Sequence, residues 1–323
     1  MDNKTAALIR TDRMMSGLIR NKWLSVHTAA REEFIPRRDG SFLRLLVVRD
    51  GSGENNTGLL WIHGGGYATG FPEQCFLFAE RFAAGTNTVM VLPDYRKSGE
   101  EPYPAALEDC YIALSWMVSR ADRLGIRSDQ IFVGGESAGG GLTCALTQMA
   151  RDIGDINIAF QMPLYPMIDD RHTETSADNH APVWDTKKND EAWALYKTDE
   201  EPHPYCAPAR QKDFRGLPPA FSVIAEAEPF YAETVQYFRS LYEAGVPVCL
   251  KEYPGGFHAF DMLAVGSKIR KKAAEAEKKA YRYACTHFFR PQPLSAAEMM
   301  EESIEKDTQD EIRKLDSLIG GLK

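Results

Sequence analysis

The chain has 323 residues, 44% hydrophobic and 26% charged, with a formal net charge of −8. That is the balance of a globular protein, and the excess of acid disfavours nucleic acid or an anionic membrane as the main partner. No apolar run approaches the roughly eighteen residues a membrane-spanning helix needs. The start, Met1-Asp2-Asn3-Lys4-Thr5, lacks the apolar core of a signal peptide, so a cytoplasmic protein is expected. The six cysteines show no C-x-x-C spacing, and Cys144 and Cys249 lie in apolar runs; buried free thiols are expected rather than a disulfide framework. The seven histidines show no paired metal-ligand spacing, so no metal and no cofactor are expected.

From Ala6 to about Glu33 the pattern has amphipathic helical character, and residues 1–40 read as an N-terminal cap segment. Leu43–Val48 reads as a strand, turned by Asp50-Gly51-Ser52-Gly53. Leu59–Ile62 is the next strand, and it runs into His63-Gly64-Gly65-Gly66-Tyr67. Consecutive glycines leave backbone N–H groups unshielded, and an HGGG loop is one source of the donors that meet an oxyanion in lipases and esterases. The helical stretch Glu73–Ala84, the strand Val89–Leu92 and the helical stretch Ala105–Leu124 follow.

The strand Ile131–Val133 leads into Gly135-Glu136-Ser137-Ala138-Gly139, and Leu142–Asp152 then has helical period. A G-x-S-x-G pentapeptide between strand and helix has the form of a nucleophile elbow, a sharp turn that presents a serine hydroxyl at the end of a sheet. Small residues on both sides let strand and helix approach closely. Attack of Ser137 on an acyl carbon puts charge on oxygen, and the amides of Gly65, Gly66 and Ala138 are the candidate donors.

After the apolar run Ile156–Met162 the rhythm breaks. From about Asp169 to Leu217 the sequence is polar, with prolines at 182, 202, 204 and 208 and one helical stretch, Asp190–Tyr196. Trp184, Trp193 and Tyr205 indicate that it packs, so it reads as a cap insertion over the serine. Phe221–Ile224 and Val248–Leu250 are strands separated by the helical run Phe230–Ala244. Strands alternating with helices predict an α/β architecture, a mostly parallel sheet covered on both faces, with the main domain at about 41–290. Ala273–Phe289 reads as an amphipathic helix. The tail, 291–323, carries Met300, Ile304, Ile312, Leu315, Ile319 and Leu322 on one helical face; it either folds back or joins a second copy into a homo-oligomer.

A serine hydroxyl needs a general base, usually an oriented histidine. His258 follows the strand Val248–Tyr253 after a short turn, while His172, His180 and His203 fall in the insertion and His287 in the last helix of the main domain. The orienting carboxylate is expected between Ser137 and His258 in the chain. Ala225-Glu226-Ala227-Glu228-Pro229-Phe230 supplies two candidates, and composition does not separate Glu226 from Glu228.

From about Leu59 to Phe289 the chain resembles the hormone-sensitive-lipase-like carboxylesterases of the α/β-hydrolase fold, the group that includes bacterial acetyl esterases. The resemblance rests on His63–Tyr67, Asp94-Tyr95-Arg96 with Pro104–Asp109, Gly135–Gly140, Gly216-Leu217-Pro218-Pro219, and Gly245-Val246-Pro247 leading to Gly256-Phe257-His258. The family usually carries Asp-Pro-Leu or Asp-Pro-Phe at its acid position, so the resemblance selects Glu228, with glutamate in place of aspartate. It implies a serine carboxylesterase with Ser137, Glu228 and His258 as triad and a preference for small-molecule esters of short acyl chains. Tyr67, Trp184 and Trp193 are candidates for the substrate pocket.

The chain departs from the family's Asp-Tyr-Arg-Leu-Ala-Pro-Glu with Asp94-Tyr95-Arg96-Lys97-Ser98-Gly99-Glu100, where Asp94 and Arg96 are expected to pair and hold the loop. The acidic tail is outside the family pattern. Two other readings stay open: a silent binding protein on a hydrolase scaffold, which the intact serine, histidine and acid disfavour, and a triad hydrolase for amides, lactones or peptides.

Overall fold

A computed structural model describes residues 28–50 and 56–293. By its contacts the chain divides into Met1–Pro291 and Gln292–Lys323; of the second unit only Gln292 and Pro293 are described. The amphipathic tail therefore lies outside the described residues, as do residues 1–27 and the turn at 51–55.

Eight strands form one sheet: β1 (Thr28–Pro36), β2 (Phe42–Asp50), β3 (Asn56–Ile62), β4 (Thr88–Pro93), β5 (Ile126–Glu136), β6 (Phe160–Leu164), β7 (Ala220–Ala225) and β8 (Val248–Tyr253). Their order is β1-β2-β4-β3-β5-β6-β7-β8. From β4 to β8 every neighbour pairs in parallel, whereas β1 with β2 and β2 with β4 pair antiparallel. The mostly parallel α/β sheet is thus present, with one antiparallel edge.

That edge corrects the N-terminal expectation. Residues 28–33 are strand, not helix, and all nine residues of β1 lie opposite β2. The hairpin closes at Arg37, whose N–H donates to Ser41 O (2.7 Å), with Gly40 at φ 85°. Residues 28–36 therefore belong to the sheet and not to a cap. β6 is also shorter than its apolar run, starting at Phe160 and not at Ile156.

Strands β3, β4, β6 and β7 are buried along their whole length, as continuous apolar strands covered on both faces should be. The helices are α1 (Phe76–Phe82), α2 (Ala105–Ser119), α3 (Ala121–Leu124), α4 (Ala138–Ile153), α5 (Thr186–Tyr196), α6 (Tyr231–Glu243), α7 (Phe260–Leu263) and α8 (Lys268–His287). Trp61 of β3 meets Phe78 and Phe82 of α1 at 4.6 and 5.0 Å, and Phe82 meets Tyr281 of α8 at 4.9 Å. Tyr237 and Phe238 of α6 pack into one cluster with Cys144 of α4. No described helix is long and apolar enough to cross a membrane.

All six cysteines are free. Cys249 corrects its expectation: β8 is an edge strand, and Cys249 lies on its exposed side. Asp94 and Arg96 do not pair with each other. Arg96 holds Asp109, Glu101 and Glu108, while Asp94 takes Lys97 (3.2 Å) and Arg44 (3.4 Å). Asp109 is buried, so a guanidinium from each side, Arg37 and Arg96, is what its charge requires.

Under the sheet's C-terminal end, Arg81 of α1 is buried between two carboxylates. It donates to Asp261 Oδ2 (2.6 Å), to Asp261 O (2.8 Å) and to Glu277. Tyr165 donates to the other oxygen of Asp261 (2.7 Å). Burial, with Asp261 beside it, pushes the Glu277 carboxyl up to about 8.

Candidate active site

Parallel strands place ligands and reacting groups at their carboxyl ends. Here four strands deliver loops to one place: β3 ends into His63–Tyr67, β5 into Ser137, β7 into Glu228 and β8 into His258. Ser137 occupies the turn between β5 and α4 at φ 58°, ψ −121°, a conformation costing roughly 1–3 kcal/mol for a residue with a side chain. The turn is that tight because α4 starts against β3. A Cβ on Gly139 would lie 2.0 Å from Ile62 O, and one on Gly135 would lie 2.5 Å from Ile62 O and Gly139 O. The strained serine is held by its own backbone: Ser137 N–H donates to Leu164 O (3.0 Å), and Ser137 O accepts from Met167 N (3.1 Å).

The three side chains form one chain of hydrogen bonds. Ser137 Oγ lies 2.9 Å from His258 Nε2, and His258 Nδ1 lies 2.5 Å from Glu228 Oε2. With the proton on Nδ1, the ring donates to the carboxylate and Nε2 accepts from the serine. Glu228 is fully buried, and its other oxygen accepts from Ala225 N (2.9 Å), so neither lone-pair set faces water. Glu226, the competing glutamate, accepts from Gly255 N (3.2 Å) in a surface turn. The extra methylene of glutamate over aspartate is taken up without loss of contact.

Three aromatic rings enclose His258: Phe230 at 5.0 Å and Tyr165 at 5.2 Å, both edge-to-face, and Trp184 at 6.1 Å. Such rings exclude water from the imidazole.

The glycine loop faces the serine. Gly65 and Gly66 have φ of 124° and 58°, and a Cβ on Gly65 would overlap Thr69 O at 2.2 Å. Among the described residues, no acceptor takes the amides of Gly65, Gly66 or Ala138, the last being the first N–H of α4. Such open amides at a helix start and a glycine loop are what an anion needs.

His63, which opens the loop, is not a catalytic imidazole. It is fully buried, stacks on Tyr95 at 4.2 Å, and bonds Gly64 O through Nδ1 (2.8 Å). Burial pushes its pKa down to about 3, with the Lys97 ammonium adding to that, so the ring is neutral.

The insertion between β6 and β7 is ordered by its own polar contacts. Asp185 caps α5 through Lys188 N (2.9 Å), Asp170 holds Arg210 (2.6 Å) and Lys197 (3.1 Å), and Thr175 donates to Pro229 O (2.8 Å) beside the acid loop. Trp184 brings the insertion to the glycine loop and to His258. Its Cη2 would be 2.5 Å from a Cβ on Gly66, so the indole lies directly over the glycine loop while also facing His258. Tyr67 and Trp193 are almost completely covered instead. Tyr67 stacks on Tyr196 of α5 (3.8 Å), meets Trp193 at 5.6 Å, and donates its hydroxyl to Met167 O (2.6 Å). These two rings pack the insertion against the glycine loop.

Six non-glycine residues have positive φ among those described, and five of them (Tyr67, Ser137, Tyr165, Val183 and Ala259) surround this site; the sixth is Asn87. Strain gathers where the surrounding packing over-determines it.

One residue escaped the sequence reading. Glu136, inside G-x-S-x-G, is buried and takes Trp61 Nε1 (2.8 Å), Gly64 N (2.9 Å) and Gln74 Nε2 (3.2 Å). Burial lifts its pKa to about 7 against the pull of those donors. The available signal was an acidic residue directly after the buried apolar and glycine stretch of residues 131–135.

Among the described residues no cluster of histidine, cysteine or carboxylate is suited to hold a metal.

Residues 59–262 match a family described by the alpha/beta hydrolase fold. The chain is 34% identical over 237 residues to carboxylesterase NlhH of Mycobacterium tuberculosis, covering 71% of this chain and 72% of that protein. It is 28% identical over 242 residues to ethyl acetate hydrolase of Pseudomonas putida, covering 72% and 76%. Among solved structures, a bacterial heroin esterase superposes with a TM-score of 0.81 at 31% identity, over 87% of this chain and 93% of that one. The chain belongs to the alpha/beta hydrolase fold family, among its hormone-sensitive-lipase-like carboxylesterases, and is a carboxylic ester hydrolase.

Proposed function

We propose that this ester hydrolase works through a Ser137–His258–Glu228 triad and prefers small, acetyl-type acyl groups. The observation that carries the reading is the unbroken pair of hydrogen bonds, 2.9 and 2.5 Å, from the strained hydroxyl through the imidazole to a buried carboxylate.

In the acylation step Ser137 Oγ attacks the ester carbonyl and its proton passes to His258 Nε2. Glu228 holds the tautomer and offsets the charge of the imidazolium. The carbonyl oxygen, now an anion, lies against the amides of Gly65, Gly66 and Ala138. His258 returns its proton to the departing alcohol. Water, deprotonated by the same imidazole, then attacks the acyl-enzyme, the proton returns to Ser137, and the acid leaves.

Two considerations support a small acyl group. Trp184 stands over Gly66 and His258, which limits the height of the space above the reacting carbon. The relatives include proteins named ethyl acetate hydrolase and acetyl-hydrolase.

The test is hydrolysis of p-nitrophenyl esters from acetyl to decanoyl, with and without Ser137→Ala. Turnover should peak at the shortest chains and disappear in the variant, and a fluorophosphonate should label only the parent enzyme. Retained turnover in Ser137→Ala removes that hydroxyl from the mechanism, whereas a peak at decanoyl removes only the acyl preference.

A further inference from the structure

We propose that Glu136 is a positioning residue that fixes the oxyanion-binding glycine loop relative to the nucleophile. The inference rests on the assignment of Gly65, Gly66 and Ala138 as oxyanion donors and adds a group that the triad does not contain.

The donors of an oxyanion hole come from two separate loops, one following β3 and one following β5. Their mutual placement has to be held to a fraction of an ångström for both to reach one oxygen. β3 and β5 pair as far as Ile62 opposite Gly135, and the ladder stops there. Beyond it the backbone of residues 63–66 must leave the sheet to turn its amides inward. Glu136 bridges this gap. Its backbone is the residue before Ser137, and its carboxylate takes Gly64 N–H, one residue before the first proposed donor.

The same oxygen takes Gln74 Nε2 at 3.2 Å, and Gln74 also reaches Gly64 O at 3.4 Å. The other oxygen takes Trp61 Nε1 from β3 itself. The carboxylate thus ties β3, the glycine loop and the turn at Pro72–Cys75 to the elbow. Steric contact reinforces the tie, since a Cβ on Gly64 would lie 2.8 Å from Glu136 O and 3.1 Å from Ser137 Cβ.

A buried carboxylate so placed has a reason to persist. Leaving it there is costly unless donors satisfy it, and three N–H groups do. The other titratable groups facing it are Cys75 (Sγ at 3.8 Å), Tyr95 and Tyr165, all pushed up by burial and so uncharged in the working range. Among the described residues no cation pairs with the carboxylate, so the hydrogen bonds from the glycine loop, Gln74 and Trp61 are what stabilise it.

The experiment compares wild type with Glu136→Gln, using a short p-nitrophenyl ester and a trifluoromethyl ketone. With the ketone, Ser137 Oγ adds to the carbonyl carbon, its proton passes to His258 Nε2, and the carbonyl electron pair becomes an oxyanion. Glutamine presents an NH2 to at least one donor, which should let Gly64 shift.

Loss of an oxyanion donor outright lowers kcat about 10²–10³-fold, so displacement of the loop should lower it roughly tenfold or more, with KM little changed. Affinity for the ketone should fall by the same factor as kcat/KM. An unchanged kcat, or a loss confined to KM with ketone affinity kept, overturns the proposal. If Glu136→Gln does not fold, Gln74→Ala decides in the same way: a smaller parallel loss of kcat and ketone affinity supports the role, and unchanged values overturn it. A wild type that turns over esters yet ignores the ketone would instead fault the oxyanion assignment itself.

Discussion

Two buried carboxylate assemblies lie within a few residues of each other, and only one leads to a serine hydroxyl. Glu228 meets an imidazole, and the chain of contacts ends at the hydroxyl of Ser137. Asp261, three residues after His258, meets a guanidinium together with Glu277 and takes the Tyr165 hydroxyl on its other oxygen, while Glu277 Oε1 has no partner among the described residues. Arginine holds its proton throughout the working range, whereas imidazole can take one up and give it back. The difference in one cation separates a structural clamp from the proposed proton relay. Burial of the acid is common to both, so burial alone does not identify the catalytic group.

The largest effect expected from breaking this contrast is at Glu228. Glu228→Gln leaves the imidazole without a partner that selects its tautomer, and kcat should fall by roughly 10³–10⁴. Glu226→Gln, which alters only a surface turn, should leave kcat near wild type. Steady-state rates on one short ester check both, and the reverse ranking would reassign the acid.

At the clamp the readout is stability. With the carboxyl of Glu277 raised from 4.5 to about 8, the folded protein holds a proton that the unfolded chain has already lost between those values. Stability therefore falls as pH rises through that window, by at most about 1.4 kcal/mol per pH unit. His63, lowered to about 3, acts with the opposite sign below its unfolded value of 6.5, and Glu136 contributes up to about 7. Burial also holds the Glu233 carboxyl well above its usual range, so the share of Glu277 is read by comparing thermal melts of the parent and of Glu277→Gln at pH 7 and 8, where the variant should flatten the decline. A slope equal to the parent's would show that the clamp is already ionised.

The smallest expected change is one of selectivity. Trp184→Ala removes the indole above Gly66 and should raise decanoyl relative to acetyl turnover roughly tenfold, as one or two buried methylenes would. The ratio of the two rates measures it, and an unchanged ratio means Trp184 does not bound the acyl space.

Much of this was legible before any coordinates. Continuous apolar runs marked β3 to β7 because both faces of those strands are covered, and the glycine-rich signals lay at their carboxyl ends. His258 stood out because its segment follows a strand. What escaped depends on partners far along the chain. Residues 28–33 carry a pattern that suits a helix, and only pairing with β2 makes them a strand. Cys249 sits in an apolar run, but an edge strand leaves one side uncovered. The sequence suggests Asp94 as the partner of Arg96, while the buried charge that needs the guanidinium belongs to Asp109. Glu136 was passed over because its role depends on the loop opposite, seventy-two positions away in the chain.

The hydrogen bond between Ser137 and His258 spans 121 positions. Between them lie β6, the whole insertion, β7 and β8, and each added strand must register on its predecessor before the imidazole reaches the hydroxyl. Closing so long a loop is slow, and no local helix or hairpin can assemble the three groups in part. On the proposed triad, turnover is therefore a property of the finished sheet: a chain halted anywhere short of its eighth strand, however compact, has a serine with nothing to take its proton.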